Sequence, residues 1–227
     1  MSTQIKPRKA TPMRRAKLVQ NDRIDSVLLR LDAIQEQKGI GTFVVGVSGC
    51  ERRCGTSTIV GNLAIRAAEM GLGRVLLIDA DFRSPRQNMN FKLGNCVGLA
   101  DIYSRSVSVE DAYQKTKISG LSVLTAGTRK AIRSCAATPE NVSSMINELR
   151  TDFDLVFIDL PSELESARNQ FLTRHVDGIV LVIDAQKTRS RTAKITVNTF
   201  RERNVEILGT VLNRAKRTLP SFLERWL

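Results

Sequence analysis

The sequence predicts an α/β fold with a mostly parallel central sheet and helices on both faces. Six apolar, β-branched runs recur from residue 42 onward, and helical patterns lie between most of them. Strands that are buried on both faces form continuous apolar runs, and parallel neighbours need a crossover connection. With 227 residues, the chain is also long enough to bury its own core. Ligands bind at the carboxyl ends of strands in such sheets, so the residues that follow each run are the candidates for function.

The first forty residues predict an arm and a helix ahead of this fold. Residues 1–20 hold six basic residues, no acidic residue and no aromatic residue, and we expect a basic, disordered arm there. Gly39 ends the helix that follows, within residues 21–39, and the remaining domain spans residues 40–227. The amphipathic pattern of this helix rests on five apolar residues at helical spacing, which are Ile24, Val27, Leu28, Leu31 and Ile34.

The domain itself is predicted to alternate strands and helices. Strands are expected over residues 42–47, 74–78, 121–125, 154–158, 178–183 and 207–212. Helices are expected over residues 57–70, 108–115, 139–150, 165–175 and 189–203. Two of the helix starts carry capping signals, since Ser108 precedes Asp111 by three residues and Thr138 directly precedes Pro139.

Composition excludes several classes of protein and site. No apolar run approaches the roughly 20 residues that span a bilayer, and no apolar stretch follows the N-terminal charge as in a secretory signal. We therefore expect a cytoplasmic protein.

His175 is the single histidine, which excludes a multi-histidine zinc site. Cys50 and Cys54 are four residues apart, a weak metal spacing, and small side chains in a loop are the favoured interpretation over a metal or redox pair.

The segment after the first predicted strand has the context of a phosphate-binding loop. Residues 48–58 connect that strand to a helix, and such a loop brings backbone N–H groups to phosphate oxygens at a helix N-terminus. Gly55, Ser57 and Thr58 fit this pattern. Thr56 stands where the pattern requires a lysine, and Cys50 stands at the position of its first glycine.

Polar residues also follow three other predicted strands. Asp79 and Asp81 come after residues 74–78, Asp159 comes after residues 154–158, and Asn213 comes after residues 207–212. Paired carboxylates at a strand end suit Mg²⁺ or its water shell. They are equally compatible with a structural role, because acids and Asn often cap the helices that follow strands.

These motifs, in this order and spacing, resemble the bacterial tyrosine kinases of capsule and exopolysaccharide synthesis, which belong to the MinD/ParA branch of P-loop ATPases. The likeness covers about residues 40–214, and its most specific motif is LLIDADFRSP at residues 76–85. It implies a P-loop NTPase fold with ATP or ADP and Mg²⁺ as ligands. It also implies, as a partner, the cytoplasmic tail of a transmembrane polysaccharide chain-length regulator.

The resemblance assigns a role to each candidate residue. Catalytic acids would be Asp79 and Asp81 in a Walker A′ motif and Asp159 in Walker B. The Mg²⁺ site would combine the Ser57 hydroxyl with Asp79 and Asp81. The nucleotide would contact the loop and the adenine-binding position, which together comprise Arg52, Arg53, Gly55, Thr56, Ser57, Thr58 and Asn213.

The chain departs from the family at several functional positions. Family members carry a proline-glycine-acid-glycine-lysine-serine stretch where this chain has residues 52–57, so the lysine is replaced by Thr56. The second lysine of the MinD/ParA group would fall near Glu51, and Arg168 stands where these kinases have an acid. The C-terminal tyrosine cluster is absent, since the chain has only two tyrosines. Residues 20–32 give no clear match to the family's oligomerisation motif, and an oligomer stays open.

Three functions are compatible with this pattern. The favoured one is a degenerate relative that does not turn over ATP and acts as a partner protein in polysaccharide export. The second is an active ATPase or tyrosine kinase in which Arg52 or Arg53 supplies the missing charge. The third and least favoured is a ParA-like nucleic-acid or cargo-positioning protein, in which the basic ends would contact DNA phosphates. The arm has no aromatic residue, so base stacking by it is not expected. A solvated tail without a ligand is the slightly favoured interpretation of the arm. The alternative is contact with an anionic membrane surface, which would place the protein peripherally at the inner face of the cell membrane.

Overall fold

The computed structural model describes residues 21–94, 96–135, 137–162 and 170–215. Its sheet has seven strands: β1 (Phe43–Gly49), β2 (Val75–Asp79), β3 (Gln114–Lys115), β4 (Leu121–Leu124), β5 (Leu155–Leu160), β6 (Gly178–Asp184) and β7 (Ile207–Asn213). The strand order is β3-β4-β2-β5-β1-β6-β7. Every neighbouring pair is parallel except β3 and β4, which are antiparallel. The predicted fold class is confirmed.

Nine helices accompany the sheet in the described ranges. They are α1 (Asn21–Lys38), α2 (Thr56–Glu69), α3 (Gln87–Asn90), α4 (Leu99–Tyr103), α5 (Val109–Ala112), α6 (Arg129–Ser134), α7 (Pro139–Asp152), α8 (Gln170–Thr173) and α9 (Ser190–Glu202). Both predicted capping signals are confirmed. The Ser108 hydroxyl accepts from the Asp111 N–H at 3.3 Å, and the Thr138 hydroxyl accepts from the Asn141 N–H at 3.3 Å.

One predicted helix is wrong in its second half. The helix expected over residues 108–115 ends at Ala112, and Gln114–Lys115 pair with β4 instead. Tyr113 is extended at this point and its ring packs edge-on against Phe153 at 5.1 Å. This contact directs the chain toward the sheet edge and away from a further helical turn. The first part of the helix expected over residues 165–175 lies outside the described residues.

The sheet separates two apolar layers. Alternate residues along each strand face opposite sides, so Phe43, Val45 and Val47 belong to one layer while Val44 belongs to the other. Helices α1 and α2 cover the first layer, and α4, α5, α7 and α9 contribute to the second. Helices therefore lie on both faces, as a parallel sheet requires.

Helix α1 packs its apolar stripe on α2. Leu28 and Leu31 are buried, and Asp25 accepts two hydrogen bonds from the Arg66 guanidinium at 2.7 and 2.9 Å. The predicted amphipathic helix thus covers the layer beneath α2. Among the described residues, no helix has both the length and the apolar character to cross a bilayer.

Candidate functional site

The carboxyl ends of β1, β2 and β5 border a cleft of about 810 Å³. Three segments line it, which are the loop between β1 and α2, the turn after β2, and the residues that end and follow β5. Strand β1 lies between β5 and β6, so its loop leaves the middle of the sheet. This is the position at which open parallel sheets bind ligands.

Two left-handed residues shape the loop between β1 and α2. Gly55 has φ 89° and directly precedes α2, and Arg53 has φ 64° although it carries a side chain. A Cβ on Gly55 would also clash with the Asn213 side chain. The Asn213 amide donates to the Cys54 carbonyl at 2.8 Å. Asn213 therefore stabilises the loop by this hydrogen bond and does not line the cleft.

Thr56 takes the position at which the family pattern has its lysine. Its hydroxyl oxygen lies 2.7 Å from the place where a Cβ on Gly49 would stand, so the side chain turns back toward the end of β1. None of the described residues that line the cleft is a lysine. The loop therefore has phosphate-loop geometry without an ammonium group.

Asp79 and Asp159 face each other as register partners at the ends of β2 and β5. Both are buried, with 0% and 1% of their surface exposed. Asp79 accepts hydrogen bonds from the backbone N–H groups of Arg86 and Gln87, both at 2.8 Å, and from that of Asp81 at 3.2 Å. Asp79 thus accepts hydrogen bonds from the backbone N–H groups at the start of α3, and it does not line the cleft.

Gln87 connects Asp159 to the phosphate loop. Its buried side-chain amide donates to Asp159 Oδ2 at 2.7 Å and to the Ser57 carbonyl at 3.0 Å. The Ser57 side chain also lies near enough to Asp159 to lower the pKa of that carboxyl. Sequence reasoning missed Gln87, because α3 has only four residues and shows no periodicity. Its place two residues after the LLIDADFRSP motif is the signal that could have identified it.

Burial and repulsion from neighbouring carboxylates raise the pKa values of the two acids. Burial raises the pKa of Asp159, and the nearby Asp79 carboxylate raises it further, while the Gln87 and Ser57 side chains oppose the shift. Burial likewise raises the pKa of Asp79, and the hydrogen bonds from three backbone N–H groups oppose this rise. The pair therefore holds protons more tightly than exposed carboxyls do.

The mouth of the cleft is rich in arginine. Five arginines line it, and they are Arg52, Arg53, Arg83, Arg86 and Arg214. Arg52 donates to the Ser84 hydroxyl at 3.3 Å, and Arg214 contacts both Asp184 and the Arg53 carbonyl. Asp81 lies at the same mouth, where its Oδ1 accepts from the backbone N–H groups of Arg83 and Ser84.

The structure brings most of the predicted site residues together. The cleft is lined by eight of the ten, which are Arg52, Arg53, Gly55, Thr56, Ser57, Thr58, Asp81 and Asp159. Asp79 lies behind it and Asn213 behind the loop. Several other lining residues were not predicted, and they include Arg83, Arg86, Ser162 and Arg214. The chemical roles of the predicted residues stay predictions, and Arg168 lies outside the described residues.

The two loop cysteines are buried on opposite sides of the sheet. Cys50 belongs to the layer of α7 and Cys54 to that of α2. Burial raises the pKa of Cys50 to about 11, and the neighbouring Cys54 adds to the shift. The described residues contain no cluster of three or more His, Cys, Asp or Glu side chains that could hold a metal ion.

Comparison with known proteins gives a consistent set of similarities. No protein-family model matches the chain. The chain is 33% identical over 162 residues to the tyrosine-protein kinase YwqD of Bacillus subtilis, covering 71% of this chain and 68% of YwqD. It is 31% identical over 160 residues to a Staphylococcus aureus protein named as the tyrosine-protein kinase CapB, covering 70% of each.

Solved structures agree with these relatives. The kinase domain of VpsO is 28% identical with a TM-score of 0.69, and the match covers 88% of this chain and all of that domain. The septum site-determining protein MinD of Pyrococcus horikoshii, solved with Mg-ADP, is 20% identical with a TM-score of 0.67 over 81% of this chain and 76% of MinD. The likeness to MinD shows the fold alone.

Proposed function

The chain belongs to the family of bacterial tyrosine-protein kinases, and from this premise we propose that it is a non-catalytic partner protein in capsule or exopolysaccharide synthesis. In this proposal the protein does not turn over ATP. The observation that carries it is Thr56, whose side chain turns toward Gly49 at the position where the family pattern has its lysine.

The missing lysine weakens both binding and catalysis. A charge-assisted hydrogen bond to phosphate contributes about 1.5–3 kcal/mol. The same charge stabilises the transferring phosphoryl group, where positioned cations supply most of the rate enhancement. A threonine hydroxyl is too short and too weakly polar to replace it. We therefore expect weak or absent binding of Mg-ATP.

The loop backbone supports the same conclusion. Arg53 carries a side chain in a left-handed conformation that glycine adopts without strain. Glycine in such a loop lets phosphate approach the backbone closely, and a Cβ limits that approach. Two adjacent arginines, Arg52 and Arg53, thus replace the small residues that the phosphate pattern requires.

The proposed partner is the cytoplasmic tail of a transmembrane chain-length regulator, as the family resemblance implies. In this arrangement the partner docks on the folded domain of residues 40–227, with α1 packed on it, and residues 1–20 form a separate basic arm. The protein would then lie peripherally at the inner face of the cell membrane.

An active ATPase or tyrosine kinase of the same pathway is the second candidate. The proximity of the Ser57 side chain to Asp159 favours it, since an active family member would use both groups. In that case Arg52 or Arg53 would supply the missing positive charge at the mouth of the cleft.

Phosphate release from Mg-ATP by the purified chain distinguishes the two candidates. We expect no release above a buffer control and no low-micromolar Mg-ATP binding by calorimetry. Asp159→Asn is the matched variant, because it removes a carboxylate without changing its size. Phosphate release that Asp159→Asn abolishes would establish the active enzyme. Salt-dependent retention on DNA would instead support the ParA-like alternative.

A further inference from the structure

We infer that two copies of this chain pair through a basic stripe on α9 and an acidic groove between α5 and α7, so that each stripe enters the groove of the other copy. The basic stripe consists of Arg191, Lys194 and Arg201, and the acidic groove is bounded by Glu140 and Glu148. Among the described residues, the groove shares no lining residue with the cleft. The inference therefore goes beyond the proposed function and is independent of ATP turnover.

The acidic groove has an apolar floor and a charged rim. It has a volume of about 630 Å³ and lies where the turn before α5 meets α7. Its floor holds the buried side chains of Ile102, Val109 and Met145. Glu140 and Glu148 are exposed on one face of α7, and neither carboxylate forms an ion pair with a described residue. The groove thus offers an apolar surface between two uncompensated negative charges.

One arginine also lies on the rim of the groove, where it is already engaged. The Arg105 guanidinium donates to the Asn141 side chain at 3.1 Å, and Asn141 donates to the Tyr103 carbonyl at 3.2 Å. Two carboxylates therefore face one guanidinium among the described lining residues. Glu110 and Asp111 are exposed on α5 beside the groove and add negative charge. A cationic occupant is favoured over an anionic one.

The basic stripe on α9 has the opposite charge. Arg191, Lys194 and Arg201 are exposed, and their side chains make no hydrogen bond or ion pair with any residue that the structure describes. Their spacing of three and seven residues places them along one side of the helix. Ile195 is 45% exposed next to them. Glu202, at the end of the helix, is the only acid of α9, so the stripe retains a net positive charge.

The charges are similarly spaced along the two helices. Glu140 and Glu148 are eight residues apart, or about 12 Å along α7, and Lys194 and Arg201 are seven residues apart, or about 10 Å along α9. With these charges paired, Ile195 would lie over the apolar floor and lose its contact with water. A phosphate backbone would pair the cations but give Ile195 no apolar contact. The occupant that fits the groove is therefore the stripe of a second copy.

The topology allows both contacts to form at once. Helices α5, α7 and α9 belong to the same layer on one face of the sheet. Helix α5 precedes the edge strand β3, and α9 precedes the opposite edge strand β7. A two-fold axis parallel to the strands therefore brings the stripe of each copy over the groove of the other. Such a contact is closed, so it predicts a dimer and not a filament.

Charge reversal tests this pairing in the full chain, with sedimentation equilibrium as the measurement. We expect the unmodified chain to have twice the mass of one chain. The stripe variant Lys194→Glu, Arg201→Glu and the groove variant Glu140→Lys, Glu148→Lys should each weaken self-association about tenfold or more, because like charges then face each other.

Mixing the two variants gives the decisive result. In an equimolar mixture, the reversed stripe of one variant meets the reversed groove of the other, and the two unmodified surfaces also match. The mixture should therefore recover the dimer, which would also show that both variants are folded. Arg23→Glu, Arg30→Glu is the matched control, because it makes the same change of charge on exposed residues of α1 and should leave the dimer intact.

Each other result overturns the inference. An unmodified chain that is monomeric at every concentration tested would show that the surfaces do not pair, and DNA binding that only the stripe variant loses would assign the stripe to nucleic acid. A dimer that neither variant weakens would place the contact elsewhere. Equal losses in the stripe variant and the control would indicate a general charge effect. A mixture that stays monomeric, or a mass above two chains, would exclude the closed pair.

Discussion

At the scale of single residues, the backbone of Arg53 gives a direct prediction for stability. An L-residue in the left-handed region costs about 1–2 kcal/mol, and glycine avoids this cost at an entropic expense of about 0.5–1 kcal/mol. Arg53 has φ 64°, so Arg53→Gly should raise the free energy of unfolding by up to about 1 kcal/mol, or leave it unchanged. Urea denaturation measures the difference.

Arg52→Gly is the matched control for this variant. Arg52 is also exposed but does not have a positive φ, and its guanidinium contacts Ser84. The control should therefore lose about 0.5–1 kcal/mol. If both variants lose the same free energy of unfolding, the left-handed backbone of Arg53 is not strained.

The buried acids predict a pH dependence of stability with a definite sign. Because the folded pKa values of Asp79 and Asp159 are raised above the ordinary 3.8, the native chain retains protons that the unfolded chain releases. The free energy of unfolding should fall as pH rises from about 4 toward neutrality, by at most about 1.4 kcal/mol per pH unit for each retained proton.

Asp159→Asn should flatten this dependence. It removes one titrating group, whose pKa burial and the nearby Asp79 carboxylate both raise. Denaturation at pH 5 and pH 7.5 should show a smaller difference for the variant than for the unmodified chain. Glu110→Gln, which neutralises an exposed carboxylate, is the control and should retain the original difference. A dependence that Asp159→Asn leaves intact would assign it to other groups.

The two tyrosines are poor phosphorylation sites. Tyr103 is 3% exposed and burial raises its pKa, and the Tyr113 ring packs against Phe153. We therefore expect no phosphotyrosine after incubation of the purified chain with Mg-ATP, as checked by mass spectrometry. Tyr113→Phe separates the two positions. Phosphate on Tyr113 of the unmodified chain, formed without another kinase, would contradict this prediction.

At the scale of elements, the sequence predicts the helices and strands that are long enough to show a repeating or continuous apolar pattern. Strands such as β1 and β5 are buried along their whole length, so each forms a continuous apolar run that can be located in the sequence. Helices α3 and α4 have four and five residues, too few for a repeating apolar stripe. Strand β3 has two residues and depends on the contact of Tyr113 with Phe153, which no local pattern encodes.

The residues of the candidate site likewise divide into those that a local sequence pattern predicts and those that tertiary contacts determine. Residues that follow long strands, such as Asp159, could be predicted because strand ends meet at one edge of the sheet. Gln87 and Ser162 could not, since their roles depend on how a four-residue helix and a strand-following turn close over the cleft. The direction of Asn213 depends on the absence of a Cβ at Gly55, which is a tertiary contact.

Helix α1 allows a matched test of how it is attached. Leu31 is 3% exposed and packs in the layer beneath α2, whereas Leu29 is 57% exposed on the same helix. Leu31→Ala should lower the free energy of unfolding by about 2–5 kcal/mol, and Leu29→Ala by less than about 0.5 kcal/mol. Equal effects of the two variants in urea denaturation would show that α1 is not part of the folded core.

At the scale of the whole molecule, charge is concentrated toward the two ends of the chain. Residues 1–20 hold six basic residues without an acid, and residues 186–227 hold ten against three acidic ones. Part of the second set lies in and around α9, where Arg191, Lys194 and Arg201 are exposed. An anionic surface could thus contact either the arm or the folded domain, and the two need separate variants.

Vesicle binding tests the arm, which lies outside the described residues. Each basic residue near an anionic leaflet contributes about 1 kcal/mol, and salt screens this attraction within about 8 Å at physiological ionic strength. The chain should therefore co-sediment with phosphatidylglycerol vesicles at low salt and bind them less at physiological salt. It should not bind vesicles of phosphatidylcholine alone. Replacing the six basic residues of 1–20 by Gln should abolish most of this binding, while the triple variant Arg191→Gln, Lys194→Gln, Arg201→Gln should retain it. If the arm variant binds as well as the unmodified chain at low salt, the membrane contact belongs to the folded domain and the arm has no part in it.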